Sequence, residues 1–164
     1  WNLDSYIKVV ELNSVEDFCK LKNSWKGNLP SLTEGMFFLM RILNDKIIFP
    51  QWEDRHNREG GYWSIKIDKG QSEEIWFDLL MLIIGENITN GIYDSLNING
   101  ISISPKKQFC ILKVWNNNNK YSDKKLLSSY FDKYHHSFLY TSHEHNISRD
   151  TNKKKHKKSF YKNY

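Results

Sequence analysis

Cysteine is scarce in this chain: there are two, Cys19 and Cys110, far apart in the sequence. That excludes a disulfide framework, and neither cysteine sits in a CxxC or Cys/His metal spacing, so free thiols in a reducing compartment are expected. Long hydrophobic runs are lacking as well. The longest, Leu79 to Ile84, is far shorter than the ~20 apolar residues a membrane-spanning helix needs, and no signal-peptide pattern leads the sequence. A soluble, intracellular protein without membrane contact is expected. The chain has no Gly-rich phosphate loop, its six histidines (56, 135, 136, 143, 145 and 156) keep no metal-ligand spacing, and neither cysteine lies in an activating motif. These gaps leave little room for an enzyme and imply neither cofactor nor metal.

Aromatic residues, by contrast, are plentiful. They make up 15% of 164 residues, with tryptophans at 1, 25, 52, 63, 76 and 115. A chain of this length fits one domain with one core, and that core does not need every indole. The formal net charge is +5, but residues 151–164 hold six lysines and no acid, which leaves 18 basic against 19 acidic side chains in residues 1–150. The basic character therefore belongs to the tail. It reads either as an electrostatic arm for RNA phosphates or an import signal, or as a solvated, disordered end. The expected address is the cytoplasm, with the nucleus as a second one if the tail is an import signal.

Periodicity supplies the elements. Residues Tyr6 to Leu12 have strand-like apolar content. Ser14 with Asp17 three residues on forms a capping pattern for a helix from Val15 to about Leu21 or Asn23, its apolar side made by Val15, Phe18, Cys19 and Leu21. Trp25 to Gly35 reads as a loop, Met36 to Leu43 and Ile47 to Phe49 as strands about an Asn44-Asp45-Lys46 turn, and Tyr62 to Ile67 as an alternating strand. Glu73 to Glu86 is the clearest helix, with Ile75, Trp76, Leu79, Leu80, Ile83 and Ile84 at 3.6 spacing; Phe77 and Met81 fall on another side, as a second core contact or a partner-binding stripe. Gly100 to Ser104 and Phe109 to Trp115 read as strands, Ser122 to Tyr134 as a helix, and Phe138 to Tyr140 as a last strand. This order predicts an α+β fold, a largely antiparallel sheet with helices on one face and the other face free.

The candidate site centres on Pro50 to Trp63. An indole beside a carboxylate, Trp52-Glu53, suits a stacked purine, whose ring lies on the indole while its N–H edge donates to the acid; an anchoring Trp beside a solvated Glu is the simpler alternative. Period two puts Ile111, Lys113 and Trp115 on one strand face next to a Lys106-Lys107 turn, an arrangement suited to phosphates attached to a stacked base.

Taken together in order, these stretches resemble the messenger-RNA cap-binding family of eukaryotic translation initiation factor 4E, including the 4E homologous protein. Ser14-Val-Glu-Asp-Phe18 is similar to T-V-E-D-F, Phe49-Pro-Gln-Trp-Glu-Asp54 to I-x-P-M-W-E-D, and Asn57-Arg-Glu-Gly-Gly-Tyr-Trp63 to N-K-x-G-G-x-W. Leu82-Ile-Ile-Gly-Glu86 matches L-I-G-E, Trp115 the I-W closing a later strand, and Tyr140-Thr-Ser-His143 matches Y-x-S-H. The resemblance implies a cupped, mostly antiparallel sheet with about three helices on its convex back and the 5′ cap in its concave mouth, in a domain of residues 1–150 that lacks the family's first strand, followed by a basic, disordered tail at 151–164. It implies Trp52 as one plate of an aromatic sandwich around 7-methylguanine, Glu53 as acceptor for the guanine edge, Trp115 beside the methyl group, and Trp1 as the second plate with Trp25 as the fallback. Phosphates would meet Lys106 and Lys107, with Lys113 substituting where a basic family position is Ile111. On the back, Val15, Cys19 (in place of a Trp), Phe77 and Met81 would receive Tyr-x-x-x-x-Leu helices of scaffold factor 4G or of 4E-binding proteins. The implied role is cap binding by a monomer in translation initiation. The alternative is a repressor or regulatory interaction protein of the same fold that competes for the cap. A third reading is an RNA binder driven by the tail.

Overall fold

The computed structural model describes residues 3–144 and Ile147; Trp1 and the basic tail lie outside the described residues. At its centre is β4 (Gly61–Asp68), whose alternating sequence buries Trp63, Ile65 and Ile67 on one face and turns Tyr62, Ser64, Lys66 and Asp68 to the other. β4 pairs antiparallel along its full length with β6 (Phe109–Asn116), and β6 pairs with β5 (Ile98–Pro105) through a register shift between Ile98 and Gly100. The five-stranded order is β1-β5-β6-β4-β7, with β1 (Phe37–Met40) and β7 (Leu139–Ser142) at the edges. A small hairpin of β2 (Ile42–Leu43) and β3 (Lys46–Ile47) sits apart from it; its turn puts Asn44 and Asp45 at φ of 49° and 59°, a left-handed pair that these residue types tolerate.

The convex face carries the core. Ile101 and Ile103 of β5, Cys110, Leu112 and Val114 of β6 and the inward residues of β4 meet α2 (Ser72–Ile84), which buries Ile75, Trp76, Phe77, Leu79, Leu80 and Ile83. α1 (Val15–Ser24) is capped by Ser14, whose hydroxyl accepts from the Asp17 N–H at 3.1 Å, while the Asp17 carboxylate accepts from the Asn13 N–H at 3.1 Å. The bond from the Asn13 N–H first, and then hydrogen bonding of the Ser14 side chain to the carboxylate, hold the Asp17 carboxyl below its usual range. α1 docks through Phe18, edge-on to Phe77 at 6.3 Å. A longer 3₁₀ helix, Ser129–Ser137, is tied to α2 by the Tyr130 hydroxyl donating to Asp78 at 2.9 Å. The curved sheet with helices behind it is the expected architecture.

Three local expectations fail for physical reasons. Residues 6–12 are not a strand: a 3₁₀ turn at Leu3–Ser5 leads into chain with no strand partner among the described residues, and Ile7 is 88% exposed. Alternation without a neighbour to hydrogen-bond makes no strand. The helix expected over 122–134 breaks into 3₁₀ pieces, Lys124–Leu126 and Ser129–Ser137, because Leu127 bridges Thr89 and the Ser128 N–H donates to the Ile88 carbonyl at 3.0 Å. On α1, Phe18 is buried and Leu21 packs against the core, while Val15 and Cys19 of the same apolar side face solvent, as the partner-binding positions expected of them require. Trp25 is a core anchor, edge-on to Phe77 at 5.4 Å and 4.9 Å from Phe37, and so is no stacking plate.

Candidate functional site

The loop bearing Trp52 and Glu53 is clamped from below. Asp54 accepts from the Phe49 N–H at 3.1 Å with one oxygen and from the His56 N–H at 2.8 Å with the other. Asn57, wholly buried, donates to the carbonyls of Phe49 (2.7 Å) and Gln51 (2.8 Å), and its own carbonyl accepts from Asn99 at 2.8 Å. Asn99 in turn donates to the His56 carbonyl at 2.8 Å. With these groups occupied, Trp52 is left half-buried and Glu53 exposed, and neither side chain has a hydrogen-bond or ion-pair partner among the described residues. The two glycines that follow are there for close approach rather than for a turn. A Cβ on Gly60 would lie 1.9 Å from the Asn116 carbonyl oxygen, and one on Gly61 would lie 2.5 Å from that of Thr141.

Opposite the loop, the free sheet face brings Trp115, Lys113 and Tyr62 together. The Trp115 indole N–H donates to the Ser102 hydroxyl at 3.0 Å, which fixes the ring plane. The Lys113 ammonium stands 3.8 Å over the Tyr62 ring and 5.8 Å from the Trp115 ring, both within cation–π range. Beneath them His143, fully buried, lies 5.0 Å from Trp115 and 5.5 Å from Tyr62. Burial first, and then the Lys113 charge, lower its pKa from 6.5 to about 4, so it is a neutral ring at physiological pH.

These two sets line one open pocket: Trp52, Glu53, Pro50 and Gln51 from the loop; Tyr62, Lys113, Trp115, Ser102 and Ser104 from the sheet; Phe38, Met36 and Tyr6 at its side. Four of the sequence-derived residues, Trp52, Glu53, Lys113 and Trp115, thus converge. Lys106 and Lys107 do not: they stand exposed in the β5–β6 turn, outside the pocket lining. Trp1 lies outside the described residues. Tyr6 is a wall that sequence reasoning missed. Its ring packs edge-on to Phe38 at 5.6 Å, its hydroxyl reaches the Pro50 carbonyl at 3.4 Å, and burial, with Glu53 adding to it, raises its pKa. Tyr62, Ser102 and the Asn57–Asn99 pair were missed too. Alternation could have flagged Tyr62, which shares its face with Ser64; nothing local marks the others. On the helical back, Val15, Cys19 and Met81 are exposed, whereas Phe77 is buried under α1 and Trp25.

The family model for eukaryotic initiation factor 4E matches residues 2–162. The chain belongs to the eukaryotic initiation factor 4E family. Among curated relatives it is 36% identical over 119 residues to the translation initiation factor NCBP of Arabidopsis thaliana, covering 70% of this chain and 48% of that protein. It is 31% identical over 114 residues to initiation factor 4E of Dictyostelium discoideum, covering 69% and 42%. The chain spans about half or less of the length of these relatives. Among solved structures it is similar to Ascaris suum eIF4E-3 in complex with m7G cap, with a TM-score of 0.56 and 25% identity over 70% of this chain and 62% of that one. It also shares the fold of Caenorhabditis elegans eIF4E-3 in complex with the 4E-binding protein Mextli, with a TM-score of 0.66 and 24% identity over 85% and 82%. Within the family pattern, the W-E-D stretch is the clamped loop and the Y-T-S-H stretch closes β7 with His143 under Trp115.

Proposed function

We propose that this chain binds the 7-methylguanosine 5′ cap of messenger RNA and acts in translation initiation as a binding protein rather than an enzyme. The observation that carries this reading is the convergence on one pocket of Trp52-Glu53, on a clamped loop, with Trp115 and Lys113 of β6. Methylation at N7 gives guanine a delocalised positive charge, and an indole face attracts such a cation by roughly 0.5–2 kcal/mol beyond stacking. Trp52 offers that face, and Glu53, with no hydrogen-bond or ion-pair partner among the described residues, accepts from the guanine N1 and N2 hydrogens. Trp115 closes on the methyl edge, and Lys113 meets the first phosphates. The second aromatic wall comes from the segment that leads into α1, where Tyr6 already borders the pocket and Trp1 lies upstream. The likeness to a family member solved with m7G cap supports this reading. Quenching of tryptophan fluorescence by 7-methyl-GTP tests it. The expected result is saturable quenching in the wild type and a loss of affinity of tenfold or more, about 1.4 kcal/mol, in Glu53→Ala and Trp52→Ala; wild-type affinity in both variants would refute it.

A second reading, a repressor or regulatory protein of the same fold, is favoured by one observation. Among the described residues the helical back exposes Val15, Cys19 and Met81 and presents no indole beside them, since Trp25 and Trp76 are both buried. Scaffold factor 4G and 4E-binding proteins are the proposed occupants of that back, through a Tyr-x-x-x-x-Leu helix. The basic tail is proposed as an RNA-binding or import segment.

A further inference from the structure

The pairing of β4 with β6 places Tyr62 opposite Trp115, Ser64 opposite Lys113, Lys66 opposite Ile111 and Asp68 opposite Phe109, all on the pocket-bearing face. Successive rungs on one face are about 7 Å apart along a strand. Lys113 is the one cation among the described pocket-lining residues. A phosphate chain leaving the slot at Lys113 and following the strands meets the Ile111–Lys66 rung next. Ile111 brings no charge to that rung, and Lys66, from the neighbouring strand, does. Ser104, a pocket-lining residue, flanks the same rung from β5.

Both lysines rest on aromatic rings but lean opposite ways along the strands, Lys113 toward Tyr62 on the Trp115 rung and Lys66 toward Phe109 on the Asp68 rung, so the exposed Lys66 side chain meets the phosphate path by turning back toward Ile111. The Lys66 ammonium lies 4.2 Å from the Phe109 ring centroid, as that of Lys113 lies 3.8 Å from Tyr62, and neither forms an ion pair with a described carboxylate. An aromatic support steadies an ammonium without neutralising it, so each remains free to meet an anion. Lys66 is exposed and Phe109 is half-buried, so the charge stands at the surface of the sheet. Asp68, the acid of this face, is paired with Phe109, on the rung toward which the Lys66 ammonium leans, and forms no ion pair with it.

We propose that Lys66 is a phosphate ligand of this chain, taking the distal phosphates of a nucleotide whose base lies in the Trp52 slot and whose first phosphate meets Lys113. This inference rests on the cap-slot reading, and the two are separated by varying the number of phosphates. Affinities of 7-methyl-GMP and 7-methyl-GTP are measured by fluorescence titration for the wild type, Lys66→Ala and Lys66→Arg. Lys66→Ala is expected to leave 7-methyl-GMP binding at the wild-type level and to weaken 7-methyl-GTP about threefold to tenfold, with Lys66→Arg close to wild type. An equal loss for both ligands would make Lys66 merely structural, and no loss for 7-methyl-GTP would remove it from the phosphate path; either overturns the proposal. Should the wild type not prefer methylated ligands, the cap reading fails, and the same comparison with GMP and GTP still decides on Lys66. Binding of none of the four nucleotides overturns both.

Discussion

Asn57 is wholly buried, and its side chain spends both its donor and its acceptor capacity on holding the Trp52-Glu53 loop: two carbonyls of that loop on one side, Asn99 on the other. Truncation strands those groups away from water. Asn57→Ala is expected to destabilise the fold by about 2–3 kcal/mol, read from the urea midpoint, and to weaken 7-methyl-GTP binding at temperatures where the variant is still folded. Wild-type affinity in the folded variant would show that other contacts set the loop. At this scale the sequence was informative where partners are neighbours or share a strand. Trp52 and Glu53 are adjacent, and Lys113 and Trp115 share a face by parity. Lys66, Tyr62 and Ser102 are different, because they acquire their partners only through the register between strands, which no local pattern encodes.

At the scale of elements, legibility followed the source of the hydrogen bonds. α2, β4, β5 and β6 satisfy their backbone groups internally or with strands of strong alternation, and they fall close to where periodicity puts them. The segment over 122–137 has a helical apolar pattern too, but the loop at Ile88–Asn90 takes its backbone partners, and the α-helix gives way to 3₁₀ turns. Tyr6 carries an apolar strand pattern into a stretch with no strand partner among the described residues, and its ring ends as a pocket wall. Under the proposed function, the helical back is the surface that separates initiation from repression. In the proposed reading Cys19, exposed on α1, takes the place of a partner-binding indole, and a lost hot spot of that kind can cost about 2 kcal/mol or more. Capture of the chain by an immobilised Tyr-x-x-x-x-Leu peptide, expected to rise at least tenfold in Cys19→Trp, checks this; efficient capture by the wild type favours initiation, and no capture even with the restored indole excludes that surface.

The whole molecule is a sheet with two unlike faces: one sealed by helices, the other carrying aromatic rings and lysines above a buried histidine. That histidine links the pocket to pH. His143 titrates near 6.5 in the unfolded chain but at about 4 in the fold, so below pH 6.5 the unfolded state binds more protons. Stability that is full above pH 6.5 is therefore lost as pH falls through that window toward 4, by an amount on the order of 3 kcal/mol. Urea midpoints of the wild type are expected to drop between pH 7 and 4.5 more steeply than those of His143→Gln; parallel profiles would remove His143 as the cause. The most direct test of the pocket remains its selectivity for charge on the base. Fluorescence titration of the wild type with 7-methyl-GTP and GTP is expected to show binding at least tenfold tighter for the methylated nucleotide, because only that base carries the positive charge the indoles attract. Equal affinity for the two would contradict the cap-binding function.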